Sequence, residues 1–333
     1  MNLKKYNSIE NSYQEKVLDR IRFLGLNKEK FIVQEKVHGA NFSFQTNGNE
    51  IKIAKRTDFI LPDEVFFNGQ QILEKYRSNV FQLFEDLKNL IPSVAKIAVF
   101  GEIFGGAYKH PDVKRINDAI KVQKGIDYAP FNEFYAFDIM IDDTEFLDVE
   151  TANQYFEKHG FFYARTLFEG DLEEALKFPK EFNSKIPEWL NLPEIEDNEC
   201  EGVIIKPLKP AFFGNGARII LKNKNEKWSE KVKVERKEIE ATPLSESAEK
   251  VLTEILSFIN LNRLNNLMSK IGRFEPKLIG KINGLLVQDA LEDFKNEFSA
   301  DYESLEKEEQ KKVNKRVNSF SLNLIKNEFL IKK

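Results

Sequence analysis

The apolar residues of this chain change their period once, and that change limits the architectures open to it. As far as Lys224, runs such as FIVQEK, ANFSFQT, EIKIAKR, KIAVFGEIF, EFYAFDIMI, CEGVIIKP and RIILKNK alternate or nearly alternate, the pattern of strands with unlike faces. Asn47-Gly48 between the second and third runs is a strong hairpin signal. Helical spacing interrupts the strands twice. Val17, Leu18, Ile21 and Leu24 predict a helix over residues 13–26 ended near Gly25, and Ile72, Tyr76, Val80, Phe84 and Leu87 predict a longer one over 69–90. After residue 231 the strand signals stop. Ser245 is placed to cap a helix with Glu246 in its first turn, and Leu252, Ile255, Leu256, Ile259, Leu264 and Leu267 give that helix one apolar face. Two further helices are expected over 276–298 and 302–329. The reading is an α+β domain with antiparallel sheets over 1–232, a charged linker over 233–244, and a small all-α domain over 245–333.

At 333 residues the chain is long enough for two domains that each bury a core. Charged residues make up 31% of it, and the signs nearly cancel to −4. The whole-molecule field is therefore not that of a nucleic-acid binder, and any basic surface must be local. The single cysteine, Cys200, excludes an internal disulfide or a cysteine-based zinc cluster, and three histidines (His38, His110 and His159) argue against a histidine-rich metal site. The start lacks a signal-peptide segment and no run approaches the roughly 18 apolar residues of a membrane helix. A cytoplasmic protein without membrane association is the expectation, and no obligate protein partner is evident.

The stretch EKVHGANFSF, residues 35–44, places Lys36 at the end of a strand that leads through Gly39 into the hairpin. A lysine there is ordinarily a solvated charge. To act as a nucleophile it must lose its proton, and at an ordinary pKa near 10.4 roughly one molecule in a few thousand has done so at neutral pH. Lowering that pKa to about 7–8 takes roughly 3–5 kcal/mol, which burial and neighbouring cations can supply. Lys222 and Lys224, two apart, project from one strand face. Facing Lys36, they would depress its pKa, hold a polyphosphate and stabilise charge on a phosphorus centre under attack. Glu102 and Glu201 lie in apolar strands, where an acid is costly unless paired or bound to metal, and Asp138 after Phe137 is a third such acid. An aromatic beside an acid suits a base with its sugar or metal.

These residues occur in an order that resembles the covalent nucleotidyltransferase superfamily of ATP-dependent RNA ligases, DNA ligases and capping enzymes. The first motif, Lys36-Val37-His38-Gly39, has histidine where most members have aspartate; with Asn41 it resembles the Lys-x-His-Gly-x-Asn of the phage-type RNA ligase 2 family. AKRT at 54–57, FGE at 100–102, YAFDI at 135–139, EGVIIK at 201–206 and LKNK at 221–224 follow in family order. INLNRLNNLMSKIG and KINGLLVQD resemble the family's C-terminal module. The resemblance spans nearly the whole chain. It implies an adenylyltransferase domain of ATP-grasp-like type. Lys36 would take AMP from ATP, Lys222 and Lys224 would contact phosphates, and His38 would serve chiefly the later steps. Glu35 would help read adenine through its backbone, and Phe137 would stack on that base. Arg56 and Glu102 would address ribose and phosphate, with Asn41 beside them. Glu201, with Asp138, would be linked to Mg2+ or Mn2+. Arg263 and Asp289 would support activity from the helical module.

The implied reaction seals 3′-hydroxyl and 5′-phosphate ends of nicked duplex RNA, with ribonucleotides on the 3′ side, through lysyl-AMP and then an adenylylated RNA end. A DNA ligase or capping guanylyltransferase would share the lysine chemistry, but His38 and the helical C-terminal half argue against both. A decayed ligase core that only binds RNA would not be expected to keep every polar motif residue. The stretch 218–237, in which lysine and arginine outnumber acids, would supply part of a salt-sensitive RNA surface.

Overall fold

The computed structural model describes residues 1–228, 244–272 and 274–331, and divides into two compact units, Met1–Lys227 and Trp228–Lys333. All but the last residue of the expected linker, 233–244, lies outside the described residues, as does most of the C-terminal half of the 218–237 basic stretch.

In the first unit the elements run β1 (Glu10–Asn11), α1 (Glu15–Phe23), β2 (Phe31–Glu35), β3 (Ala40–Thr46), β4 (Ile51–Ala54), α2 (Gly69–Leu90), β5 (Ile97–Ala107), β6 (Ala129–Ile141), β7 (Glu145–Phe146), α3 (Val149–Lys158), β8 (Thr166–Gly170), α4 (Leu172–Leu176), α5 (Ile186–Trp189), β9 (Gly202–Pro207) and β10 (Leu221–Lys224). The strands form two five-stranded sheets, ordered β1-β10-β9-β2-β8 and β4-β3-β5-β6-β7. Every pairing is antiparallel except that of the short β1 with β10.

Alternation along the strands sorts three cores. Phe31 and Val33 of β2, Val203 and Ile205 of β9 and Leu221 of β10 face α1 and α4. Phe42 and Phe44 of β3, Val99 of β5 and Ile139 of β6 face α2 and α3. Between them a smaller group, Tyr6, Ala98, Phe100, Met140, Phe146 and Ile220, forms a third core. Other inward positions are polar, among them Ser43, Lys206 and Asp138. Each fully buried Leu or Phe in the two outer cores contributes about 1.5–3 kcal/mol, so the helices clamp the sheets from outside and leave the inner faces for chemistry.

The hairpin forms as expected, with a four-residue loop: Thr46 pairs with Ile51, Gly48 takes φ +84°, and Asn47 Oδ1 accepts from the N–H groups of Asn49 and Glu50. The predicted helix over 69–90 is α2 to the residue. Residues 36–39 do more than lead into a hairpin, because they carry the chain from the last residue of β2 in one sheet to the first of β3 in the other.

The second unit contains α6 (Glu246–Ser257), α7 (Leu261–Ile271), α8 (Ile279–Glu303) and α9 (Lys307–Lys326). Ser245 caps α6, its Oγ accepting from Ala248 N. The stripe from Leu252 to Leu267, expected to be one helix, is two. Asn260 adopts an extended conformation and its Oδ1 accepts from Arg263 N, starting a new helix; a short polar side chain that satisfies a free N–H favours a cap over helix interior. Pro276–Leu278 forms a 3-10 turn before α8, which runs past the expected end through a non-helical Phe298 to Glu303.

Candidate active site

Lys36 N donates to Gly202 O at 2.9 Å, extending the β2–β9 ladder by one rung. That rung fixes where the side chain emerges. It requires the glycine of the EGVIIK motif: Gly202 has φ +132°, and a Cβ there would lie 2.2 Å from Asn223 O. Gly39 is needed for a different reason, since its Cβ would lie 2.5 Å from Ile103 O as the chain passes close to β5.

At the crossover, three motifs meet on one carboxylate. Glu201 Oε2 receives Lys36 Nζ at 2.7 Å and lies 3.2 Å from His38 Nδ1, while Oε1 is 2.9 Å from Lys224 Nζ. Burial would push the Glu201 carboxyl up, but Lys224, Lys36 and His38 outweigh it and hold the group well below the usual carboxylate range. Glu102 stands beside them on β5, opposite Asn41 of β3, and accepts from Gly39 N at 3.0 Å. Its carboxyl is pushed up by burial, with Lys36 opposing and the Glu201 charge adding to the rise. Lys222 lies on the same face of β10 as Lys224.

This geometry corrects one expectation. Lys36 is in direct contact with an acid, and Lys224 faces the other oxygen of that acid. Lys224 is joined to Lys36 through Glu201.

Arg56 Nη1 donates to the carbonyls of Tyr6 and Asn7 at 2.6 and 3.3 Å, and its charge interacts with that of Glu102. Phe137 is the extra residue of a bulge, because Phe100 pairs with Asp138 and Gly101 with Ala136. A bulge re-aims side chains. Here it turns Phe137 and Asp138 to the same side, both onto Tyr6: the Phe137 and Tyr6 rings are 5.0 Å apart, and the Tyr6 hydroxyl donates to Asp138.

Asp138 does not fit the metal role expected of it. Arg218 donates to both its oxygens at 2.9 Å and Lys206 Nζ to one at 3.1 Å, all three side chains being buried. Burial would raise the Asp138 carboxyl, but Arg218 and then Lys206 hold it at about 2. Among the described residues no three His, Cys, Asp or Glu side chains are grouped to hold a metal ion. Glu201 and Glu102 fit a divalent cation only as an ion shared with substrate phosphates, the usual arrangement for Mg2+.

Glu35, which precedes Lys36, is fully buried and accepts from Ser184 Oγ at 2.6 Å and Lys185 N at 2.8 Å. Burial raises its carboxyl to about 7 against those two bonds. The unfolded chain releases this proton near 4.5, so between about pH 4.5 and 7 the folded state binds more protons and stability falls as pH rises. The rise to about 7 corresponds to about 3 kcal/mol. Urea unfolding followed from pH 5 to pH 8 should show this decline, and Glu35→Gln should flatten it.

Arg263 and Asp289 are brought together, but by each other. Arg263, buried, donates to the Asp289 carboxylate and to Asp293 Oδ2 at 2.7 Å, fastening α7 to α8. Sequence reasoning missed Tyr6, Lys206 and Arg218. Lys206 carried a signal, a lysine closing an apolar strand run, which demands a buried partner.

The profile of the RNA ligase family matches residues 29–224, and that of the T4 RNA ligase 2 C-terminal region matches residues 242–321. The chain belongs to the RNA ligase family, and its helical unit is of the T4 RNA ligase 2 kind. Mitochondrial RNA-editing ligase 1 of Trypanosoma brucei brucei is 28% identical over 338 residues, covering 82% of this chain and 71% of that one. RNA-editing ligase 2 of the same organism is 27% identical over 346 residues, covering 87% and 82%. A solved structure of a Naegleria gruberi RNA ligase variant with ATP and Mn aligns at a TM-score of 0.44 and 18% identity, covering 68% of this chain and 58% of that one. A second variant of that ligase, solved with AMP and Mn, also aligns at 0.44.

Proposed function

We propose that this protein is an ATP-dependent ligase that seals 3′-hydroxyl and 5′-phosphate ends at nicks in duplex RNA. The observation that supports it most is the convergence of Lys36, His38 and Lys224 on Glu201 at the crossover between the sheets. In the first step the Lys36 amine bonds to the α-phosphorus of ATP and pyrophosphate leaves. In the second, AMP passes to a 5′-phosphate on RNA, and in the third a 3′-hydroxyl attacks that phosphate and AMP departs. Each step is an in-line displacement, where positioning and charge neutralisation carry the rate.

Lys36 must exchange its partner before it can attack, because Glu201 holds the amine at 2.7 Å. In this reading Lys224 and Lys222 would receive the phosphates, Phe137 would stack on the base, and Arg56 and Glu102 would meet the ribose. A divalent cation held by Glu201 together with the phosphates would neutralise phosphate charge. The role of His38 falls in the later steps, and a cytoplasmic setting belongs to the same proposal.

Two arms test this. Mass spectrometry after incubation with ATP and Mg2+ should find one AMP on a peptide containing Lys36, and GTP should leave the protein unmodified. The same preparation should seal nicked duplex RNA faster than single-stranded RNA and should leave nicked all-DNA duplex open. Equal rates on RNA and DNA would sink the substrate assignment, and a guanylyl adduct would turn the reading toward a capping enzyme.

A further inference from the structure

The turn bearing the nucleophile is closed into a ring by residues remote in sequence. At one end, the Glu35 carboxylate accepts from Ser184 Oγ at 2.6 Å. Ser184 N donates to Asn198 O at 2.9 Å. The Asn198 side chain then pairs with the Asp127 backbone in both directions, Nδ2 donating to Asp127 O at 2.7 Å and Oδ1 accepting from Asp127 N at 2.9 Å. The next residue, Tyr128, accepts from His38 N through its hydroxyl at 2.8 Å. Residues 35–38 complete the circuit, with Lys36 inside it. Glu35, His38, Asp127, Tyr128 and Asn198 are all buried and Ser184 is half-buried, so the Asn198–Asp127 pair and the His38–Tyr128 bond are shielded from water and costly to leave unmade.

We propose that Asn198, with Ser184 and Tyr128, forms a positioning ring that fixes the backbone of residues 35–38, and so the angle at which the Lys36 amine meets phosphorus. The inference rests on reading Lys36 as the adenylylated nucleophile. Asn198 is the joint of the ring because its amide copies a backbone pair and welds the segment before β6 to the segment before β9. An in-line attack is sensitive to misplacement on the ångström scale. A slack ring therefore slows the bond-forming step while leaving intact the side chains that bind the nucleotide.

The test is single-turnover formation of the AMP adduct over a range of ATP concentrations, for wild type, Tyr128→Phe, Asn198→Leu and the double variant; Ser184→Ala would leave Glu35 held by Lys185 N and the ring closed. Each single variant should slow the rate at saturating ATP about tenfold or more, with half-saturating ATP changed less than about threefold. A ring opened once is open, so the double variant should be no more than about twofold slower than the slower single one. Neighbours in one network fail to add in this way, whereas independent sites multiply. Multiplied losses, or singles that react at the wild-type rate, would overturn the ring. If Asn198→Leu does not fold, Asn198→Ser, too short to make the pair with Asp127, takes its place beside Tyr128→Phe, and the same lack of multiplication is required. A wild-type protein that forms no adduct would instead remove the functional reading itself.

Discussion

Lys36→Ala protein will carry no AMP after exposure to ATP and Mg2+, a loss of at least about 10⁴-fold in adduct formation, since no other atom replaces an absent nucleophile. Lys36→Arg will be as inactive for a separate reason. A guanidinium can keep the ion pair with Glu201, but it does not give up a proton at any working pH. Comparing the two separates nucleophilicity from charge. Both proteins should nevertheless join a nicked RNA supplied with AMP already on its 5′-phosphate, because the third step uses neither the amine nor ATP. Retention of that activity within about tenfold of wild type for Lys36→Arg, with less for Lys36→Ala, would show the pairing with Glu201 at work in the remaining chemistry. Gel analysis of both substrates decides the matter, and a Lys36→Ala protein that seals unadenylylated RNA would end the assignment of Lys36.

How far this site was legible in the sequence depends on the distance over which each interaction acts. The hairpin at Asn47-Gly48 and the helix over 69–90 follow from period and turn chemistry within a few residues, and both stand in the structure. The motif residues Lys36, Glu102, Glu201 and Lys224 were recognisable as polar groups in apolar strands, and the fold does bring them together. Their order of contact was not legible. Strand spacing put Lys222 and Lys224 on one face but could not show that Glu201 stands between Lys224 and Lys36, because β9 lies between β10 and β2 only in the folded sheet. The bulge at Phe137 leaves no trace in YAFDI, since one extra residue in a strand is defined by its partner. Asn260 was hidden by the apolar stripe it interrupts, although its type favours a cap.

Asp138→Ala should be the most destabilising single change in the first unit, at about 3–5 kcal/mol, because it leaves Lys206 and Arg218 buried with no counter-charge. The cluster already holds two cations for one carboxylate, and Tyr6 cannot redress it: burial and then the Asp138 charge push its phenol far up, so it stays neutral. That imbalance predicts an asymmetry. Lys206→Met should cost less than about 1.5 kcal/mol, since the two-point Arg218 pair remains balanced and burial already pushes the Lys206 amine down to about 8. Any activity loss in Lys206→Met would come through the bulge, where Lys206 Nζ donates to Phe137 O at 3.0 Å. The acid limb gives an independent check. Asp138 is held at about 2 when folded and titrates near 3.8 when unfolded, so its stabilisation is complete above about pH 4 and is lost as pH falls toward 2. That contribution is about 2.5 kcal/mol. Urea midpoints at pH 7 and pH 3 for wild type, both variants and the exposed-pair control Glu74→Ala measure all of this. Should Asp138→Ala shift the midpoint no further than Glu74→Ala, the buried cluster is not what fastens the inner faces of the two sheets.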